Sequence, residues 1–245
     1  MKILGAILVN DKRMSTLPAV LLTCLKVKEI SSLEIFCFDT EFESIKFAED
    51  NNIKLNIRKR PSPDMSKVTC SYVNFMTGIN EVELMQLAYL RNQTLEKAND
   101  DGVDYLYFID SDILLEKDSL KKLLKVKADV VLGWYFHKRL GFDIFKLCSH
   151  ENIDDKIKEG CAVEAESGGN GGVLFNREII ENVRYDDYHG MKAEDGVFYE
   201  KVLEAGYKIK LHFGVFYRHI GDDWSNSAIN YAELKSKICG INYYK

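Results

Sequence analysis

The sequence predicts an α/β protein, a single domain with a mostly parallel central sheet flanked by helices. Three observations carry that expectation. Apolar runs of strand length alternate with segments of helical spacing from the first residues onward, the pattern of a parallel sheet covered on both faces. A length of 245 residues fits one such domain better than two. No internal repeat, low-complexity tract or linker divides the chain.

The elements follow in order. Ile3 to Val9 is a continuous apolar run. It leads into Asn10-Asp11-Lys12-Arg13 with no small-residue cleavage site, so it reads as a buried first strand and not as a signal peptide. Leu17 to Val27 reads as a helix, and Leu33 to Phe38 as a second strand ending at Asp39. Ser44 to Asn51 is helical and Ile53 to Ile57 is a third strand. Arg58 to Cys70 holds Pro61 and Pro63, two of the three prolines, and is a loop. Glu81 to Asn99 is a helix that Asp100-Asp101-Gly102 stops. Val103 to Ile109 is an apolar, aromatic-rich strand that runs into Asp110-Ser111-Asp112. A short helix near Ser119 to Val126 and a strand from Val130 to Phe136 come next. Leu140 to Glu166 shows no clear period, is rich in charge, and is expected to be irregular. The glycine-rich Ser167 to Gly172 feeds a short strand, Val173 to Phe175. Asp195 to Ala205 is a helix closed by Gly206, and Ile209 to Val215 is the last strand. Residues 222–245 are expected to add a C-terminal helix on the outside.

Composition excludes several classes. A net charge of −5 argues against a general nucleic-acid binder and gives no electrostatic membrane anchor. The longest apolar stretches fall far short of the roughly 20 residues of a membrane helix. The six cysteines include no Cys-x-x-Cys pair, which suggests neither a zinc site nor a disulfide framework. Cys37, between Phe36 and Phe38, reads as a small core residue. A reducing, cytoplasmic setting fits best.

Five features carry chemistry. Asp110 and Asp112 end an apolar strand two residues apart, and like charges held that close need a positive partner. Oxygen ligands favour a hard cation, Mn²⁺ or Mg²⁺, which fills its shell with phosphate oxygens and water. The alternative is an acidic turn with both carboxylates in water. Arg91 shares a helical stripe with Leu84, Ala88, Leu95 and Ala98, so it faces inward and needs an anion. A phosphate or one of the aspartates would serve, as would an ordinary structural ion pair. Ser167-Gly168-Gly169-Asn170-Gly171-Gly172 lets backbone pass close to a ligand, or is a surface turn. Glu194-Asp195 opens a helix, where acidic residues cap; as a general base there, a carboxylate would be weakened by the helix dipole. His219 follows the last strand, as a satisfied structural residue or as a ligand that tilts the metal toward Mn²⁺. Beside these five, Trp134 precedes Tyr135-Phe136-His137 and is either an exposed aromatic face or a core residue.

In order along the chain, Tyr107-Phe108-Ile109-Asp110-Ser111-Asp112, Gly171-Gly172-Val173, Ala193-Glu194-Asp195-Gly196-Val197-Phe198 and the late His219 resemble the glycosyltransferases of the GT-A class. The similarity is closest to the inverting enzymes of family 2 and to galactosyltransferase-like enzymes, and it spans Ile3 to about Gly221. It implies a Rossmann-like fold with a nucleotide-binding part near residues 1–115 and an acceptor-binding and catalytic part near 116–221. It implies a metal held by Asp112, with Asp110 on the ribose or the metal's water and His219 as a third ligand. Asp195 resembles the base, Glu194 would bind acceptor hydroxyls, Gly171 and Gly172 would lie against the sugar and acceptor, and Trp134, if its face is open, would stack on an acceptor sugar ring. Asn10, Asp39 and Arg91 stand where that class binds the nucleotide. The donor implied is a nucleoside-diphosphate sugar, with UDP or GDP; the acceptor is a glycan, glycolipid or glycoprotein. The Gln-x-x-Arg-Trp of processive members is absent from the sequence, which points to single additions.

Three other readings stay open at this stage. A haloacid-dehalogenase-type phosphotransferase would use Asp110 as nucleophile, Asp112 as acid/base and Gly221-Asp222-Asp223 as a late acidic motif, although that family places its Asp-x-Asp after the first strand. A binding module could keep the fold without catalysis. A retaining mechanism would need a different group beneath the sugar.

Overall fold

The computed structural model describes residues 1–62, 81–135, 145–149, 151–186 and 194–220. Its centre is set by strand β1 (Ile3–Leu8), all six residues of which are buried. Successive side chains of a strand point to opposite faces. Leu4, Ala6 and Leu8 therefore enter one core layer, while Ile3, Ile7 and the following Val9 enter the other. A strand buried on both faces needs cover on both. Helix α1 (Leu17–Cys24) covers one face through Leu17, Val20, Leu21 and Cys24. Cys37 is buried on this face too, as its aromatic neighbours suggested.

Strand β2 (Ser32–Phe38) pairs parallel with β1, and β3 (Lys54–Arg58) pairs parallel with β2 after helix α2 (Phe42–Asp50). The opposite face is covered by helix α3 (Glu81–Asp100), which contributes Ala88, Leu90, Leu95 and Ala98. Gly102, at φ +61°, takes the left-handed conformation that stops this helix. Strand β4 (Tyr105–Asp110) returns beside β1, parallel, with Leu8 opposite Asp110.

The second half departs from the parallel pattern. Beyond the two-residue strand β5 (Ile113–Leu114) and helix α4 (Ser119–Leu123) comes β6 (Val130–Trp134). The segment expected to be irregular instead holds β7 (Phe145–Leu147), helix α5 (Ile153–Glu159) and β8 (Ala162–Gly168). In β8, Val163 and Ala165 are buried and Glu164 between them is exposed. That alternation is real but short, and the surrounding charges hide it. Strand β9 (Gly172–Asn176) lies antiparallel between β4 and β6. Helix α6 (Arg177–Asn182) follows, capped by the Asn176 side chain accepting from the Ile179 N–H at 3.1 Å. Helix α7 (Glu194–Glu204) leads to β10 (Ile209–Phe216), parallel to β6, and to the two-residue β11 (Arg218–His219). The order is β3-β2-β1-β4-β9-β6-β10-β8-β7. Among the described residues, β8 and β9 alone run against the other strands of this sheet.

Several expectations lie outside the described residues: the Pro63–Cys70 part of the proline-bearing loop, Phe136 to Arg139, Asp222 and Asp223, and the C-terminal helix. No described helix is long and apolar enough to cross a membrane.

Behind the ends of β4 and β6 and the start of β9 sits a buried aromatic wedge. The hydroxyls of Tyr107 and Tyr217 lie 2.7 Å apart. The Tyr217 ring fills the space where side chains would stand at Gly133 and Gly172: a β-carbon on either would come within 2.2 Å of Tyr217 Cε2. Gly133→Ala is therefore expected to destabilise the protein by about 1–3 kcal/mol through overpacking. Urea denaturation would show a lowered midpoint with an unchanged slope.

Candidate active site

The carboxyl ends of β1, β2 and β4 form one edge. Register places Leu8 opposite both Phe36 and Asp110. Asn10 and Asp39 therefore project from the same edge as Asp110, and both are exposed. Asp39 accepts from the Arg60 N–H at 3.1 Å. Ligands of open α/β sheets lie at this edge.

Asp110 is the last residue of β4 and its side chain is 33% exposed. Its N–H donates to the Gly171 carbonyl at 3.3 Å, so the glycine-rich turn is tied to the strand end. A β-carbon on Gly171 would lie 3.0 Å from Asp110 Oδ2 and 2.9 Å from the Tyr135 hydroxyl. The close approach that glycine permits at 171 and 172 is thus used by the protein's own side chains, Tyr135 with Asp110 at the first and Tyr217 at the second.

Asp112 is buried and its Oδ2 lies 3.4 Å from Nε2 of His219. The pairing of β5 with β11 brings these together: His219 stands opposite Ile113, and the Ile220 N–H donates to the Asp112 carbonyl at 2.7 Å. Thr16 Oγ1 donates to the Ser111 carbonyl at 2.7 Å, which fixes the turn between the aspartates. Two donors 3.4 Å apart fit adjacent positions on one hard cation, the remainder of whose shell would come from ligand oxygens and water. Two of the three expected ligands converge. The third, Asp110, turns to Arg91, and no group of three His, Cys, Asp or Glu side chains suited to a metal occurs among the described residues.

Arg91 occupies the inward stripe of α3 that the sequence predicts, with its side chain only 4% exposed. Nη2 lies 3.5 Å from Asp110 Oδ1, and Nε lies 3.5 Å from Glu194 Oε1. The guanidinium carbon sits 5.4 Å from the Phe108 ring centroid and 5.7 Å from that of Tyr185. Nε and Nη1 make no hydrogen bond. Burial works against the charge, but Tyr185 and the carboxylates of Asp110, Glu194 and Asp195 outweigh it and hold the pKa above its ordinary value. Of the anions that could answer Arg91, the structure supplies carboxylates. That is the aspartate partner the sequence allowed for, and the Arg91 side chain lies beneath the strand-end edge.

Glu194 is the second carboxylate at Arg91. It is buried and faces Arg91. Burial first, then the charge of Asp195, push it up from an ordinary 4.5 to about 7, with Arg91 opposing. Asp195 is half-buried and accepts from the Gly196 N–H at 2.8 Å. The helix start was expected to lower its pKa; burial wins and raises it, with Arg91 opposing. A raised carboxylate is a stronger base, which suits proton abstraction better than the expected weak one.

Trp134 is a core residue. It is 2% exposed, donates from its indole N–H to the Phe213 carbonyl at 2.9 Å, and packs edge-on against Phe216. Its neighbour Tyr135 points the other way and reaches the site, its ring stacked on His219 with centroids 5.8 Å apart. Of the two readings of Trp134, the core residue is the one observed, and Tyr135 is the member of the pair that reaches His219. Strand alternation was the signal that could have separated them.

Neither a family model nor a curated protein matches the sequence. Solved structures match the fold. A197 from STIV shares 18% identity at TM-score 0.50, covering 91% of this chain and 87% of that one. TarS 1–349 of S. aureus, in complex with UDP-GlcNAc, shares 14% identity at TM-score 0.53, covering 96% of this chain and 64% of that one. GalNAc-T7 with UDP, GalNAc and Mn²⁺ shares 12% identity at TM-score 0.61, covering 97% of this chain and 47% of that one. The chain thus spans less than two thirds of the TarS fragment and less than half of GalNAc-T7. These likenesses show the fold, which is that of the GT-A class.

Glu194 sets a pH dependence. Its folded pKa is raised, so its contribution to stability is fully present below the ordinary 4.5 and is lost as pH rises toward about 7. The denaturation midpoint of the metal-free protein is expected to fall across that window. Glu194→Gln should flatten the fall; an unchanged slope would mean that the carboxyl is not held in this environment.

Proposed function

We propose that the chain is a metal-dependent glycosyltransferase that moves a sugar from a nucleoside-diphosphate sugar, with UDP or GDP as the nucleotide, to an acceptor hydroxyl. The transfer is non-processive and proceeds with inversion. The observation that carries this reading is the 3.4 Å approach of His219 to Asp112 at the strand end, with Asp110 beside them. Two solved structures of the same fold contain UDP-GlcNAc, or UDP with GalNAc and Mn²⁺, which supports a nucleotide-sugar donor and a divalent ion.

The donor lies along the carboxyl edge. Asn10 and Asp39 contact the nucleoside. Asp112 and His219, with Asp110 as the third candidate, would hold a cation, Mn²⁺ or Mg²⁺, which would supply positive charge to the departing diphosphate. Asp195 takes the proton of the acceptor hydroxyl as that oxygen attacks the anomeric carbon from the face opposite the diphosphate. Burial of Asp195 helps, because a carboxylate partly withdrawn from water binds that proton more readily. Arg91 keeps the neighbouring negative charges from repelling one another. The acceptor is a glycan, glycolipid or glycoprotein.

Thermal unfolding tests donor binding. UDP- and GDP-sugars with Mn²⁺ are expected to raise the melting temperature by several degrees, since a hundredfold excess over Kd stabilises by about 2.7 kcal/mol. Asp112→Asn should lose the metal-dependent part of that shift; a variant that keeps it would refute the metal assignment.

Sugar transfer tests the base. Asp195→Asn should retain the donor-induced shift while turnover drops by about 10²-fold or more. Near-normal turnover in this variant would remove Asp195 from the chemistry. Binding without turnover in the wild type would instead favour a binding module of the same fold.

A further inference from the structure

Along the backbone, His219 is tied by a short ladder. Its strand β11 has two residues, and its ladder to β5 pairs Arg218 with Leu114 and His219 with Ile113. The Ile220 N–H to Asp112 carbonyl bond, at 2.7 Å, adds one more tie. These bonds set the height of the backbone. They leave open the rotation of the imidazole about its last torsion, which is broad for an sp³–sp² bond. Rotated out of its present plane, the ring would carry Nε2 away from Asp112 Oδ2.

The ring plane is set from elsewhere. Tyr135 follows the last residue of β6 and is 7% exposed. The neighbouring Trp134 carbonyl accepts from the Tyr217 N–H at 2.8 Å, so the strand end cannot drift from β10. The Tyr135 ring lies almost parallel to the imidazole, at 18° with centroids 5.8 Å apart. Its hydroxyl reaches into the glycine-rich turn. A β-carbon on Gly169 would stand 2.1 Å from that hydroxyl, and one on Gly171 would stand 2.9 Å from it. The hydroxyl also hydrogen-bonds with the Gly171 backbone. Gly171 in turn accepts from the Asp110 N–H. One side chain therefore touches both the imidazole and the turn that carries Asp110's partner.

We propose that Tyr135 is a positioning residue: its ring orients the His219 imidazole toward Asp112, and its hydroxyl locks the Gly169–Gly171 turn against the end of β4. The two halves are separable by substitution. Tyr135→Phe keeps the stack and removes the latch. Tyr135→Leu removes the stack. This inference rests on the reading of Asp112 and His219 as a metal pair, and the test keeps the two apart.

The first readout needs no metal. In metal-free protein the His219 ring proton, assigned by its disappearance in His219→Ala, is expected upfield from the tyrosine ring current. That shift should persist in Tyr135→Phe and vanish in Tyr135→Leu. The second readout is Mn²⁺ affinity in the presence of UDP or GDP, followed by electron paramagnetic resonance. Tyr135→Phe is expected within about twofold of wild type. Tyr135→Leu is expected to weaken binding by about tenfold, the scale on which partners behind metal ligands act. In a His219→Ala background, Tyr135→Leu should add nothing further. Should Tyr135→Leu fail to fold by circular dichroism, Tyr135→Met, apolar and ringless, carries the same expectation. Wild-type Mn²⁺ affinity in the ringless variant, or additive losses in the double variant, would overturn the positioning role and leave the metal reading standing. A wild-type protein that takes up no Mn²⁺ with either nucleotide would overturn the metal reading and this inference together.

Discussion

One buried cation holds the site together. Arg91 links Asp110, at the end of a central strand, to Glu194, at the start of a helix more than eighty residues later in the sequence. Both carboxylates approach it at ion-pair distance, and two aromatic rings bound its faces. Removing one partner of such a buried pair typically costs about 3–5 kcal/mol, because it strands the remaining charge away from water. Without the guanidinium, Asp110, Glu194 and Asp195 would repel across a dry space. The acidic character of the site therefore depends on a basic residue lying beneath it.

The same charge balance sorts the carboxylates by task. Asp112 is paired with an imidazole, Asp110 and Glu194 with a guanidinium, and Asp195 accepts from the Gly196 backbone N–H. Burial acts on Glu194 and Asp195 in the same direction and raises both. Only the second is placed with part of its surface open. Inward and outward positions on the first turn of α7 thus separate a buried acid from a partly open one, although the two are adjacent in sequence.

Much of this was legible from the residues. The two-sided burial of β1, the helical stripe of α3 with Arg91 in it, and the stops at Gly102 and Gly206 all follow from periodicity and backbone chemistry. What could not be read is what depends on contacts between distant segments. The strand β8 alternates over too few residues to stand out among its charges. The antiparallel insertion of β9 between β4 and β6 leaves no local mark, since a short apolar strand reads the same in either direction. The expected pKa of Asp195 came from its helix start alone, whereas its burial is produced by the packing of the whole chain. Trp134 and Tyr135 differ only in the face to which each belongs, and that is decided by the pleat. The haloacid-dehalogenase alternative places its aspartates after a first strand; here three strands precede β4 in sequence.

The register of β4 has a consequence for how such a site can change over time. This strand is paired on both sides, with Ile109 opposite Ile7 on one flank and opposite Gly172 on the other. A one-residue slip inverts which side chains face each layer. Inserting a single residue between Val103 and Ile109 would preserve the whole inventory of acids, glycines and histidine, yet it would turn Phe108 away from Arg91 and carry the carboxylates out of step with both neighbours. Substitution can explore this edge one group at a time, but insertions within the strand are closed to it. Diversification must therefore enter through the connecting loops.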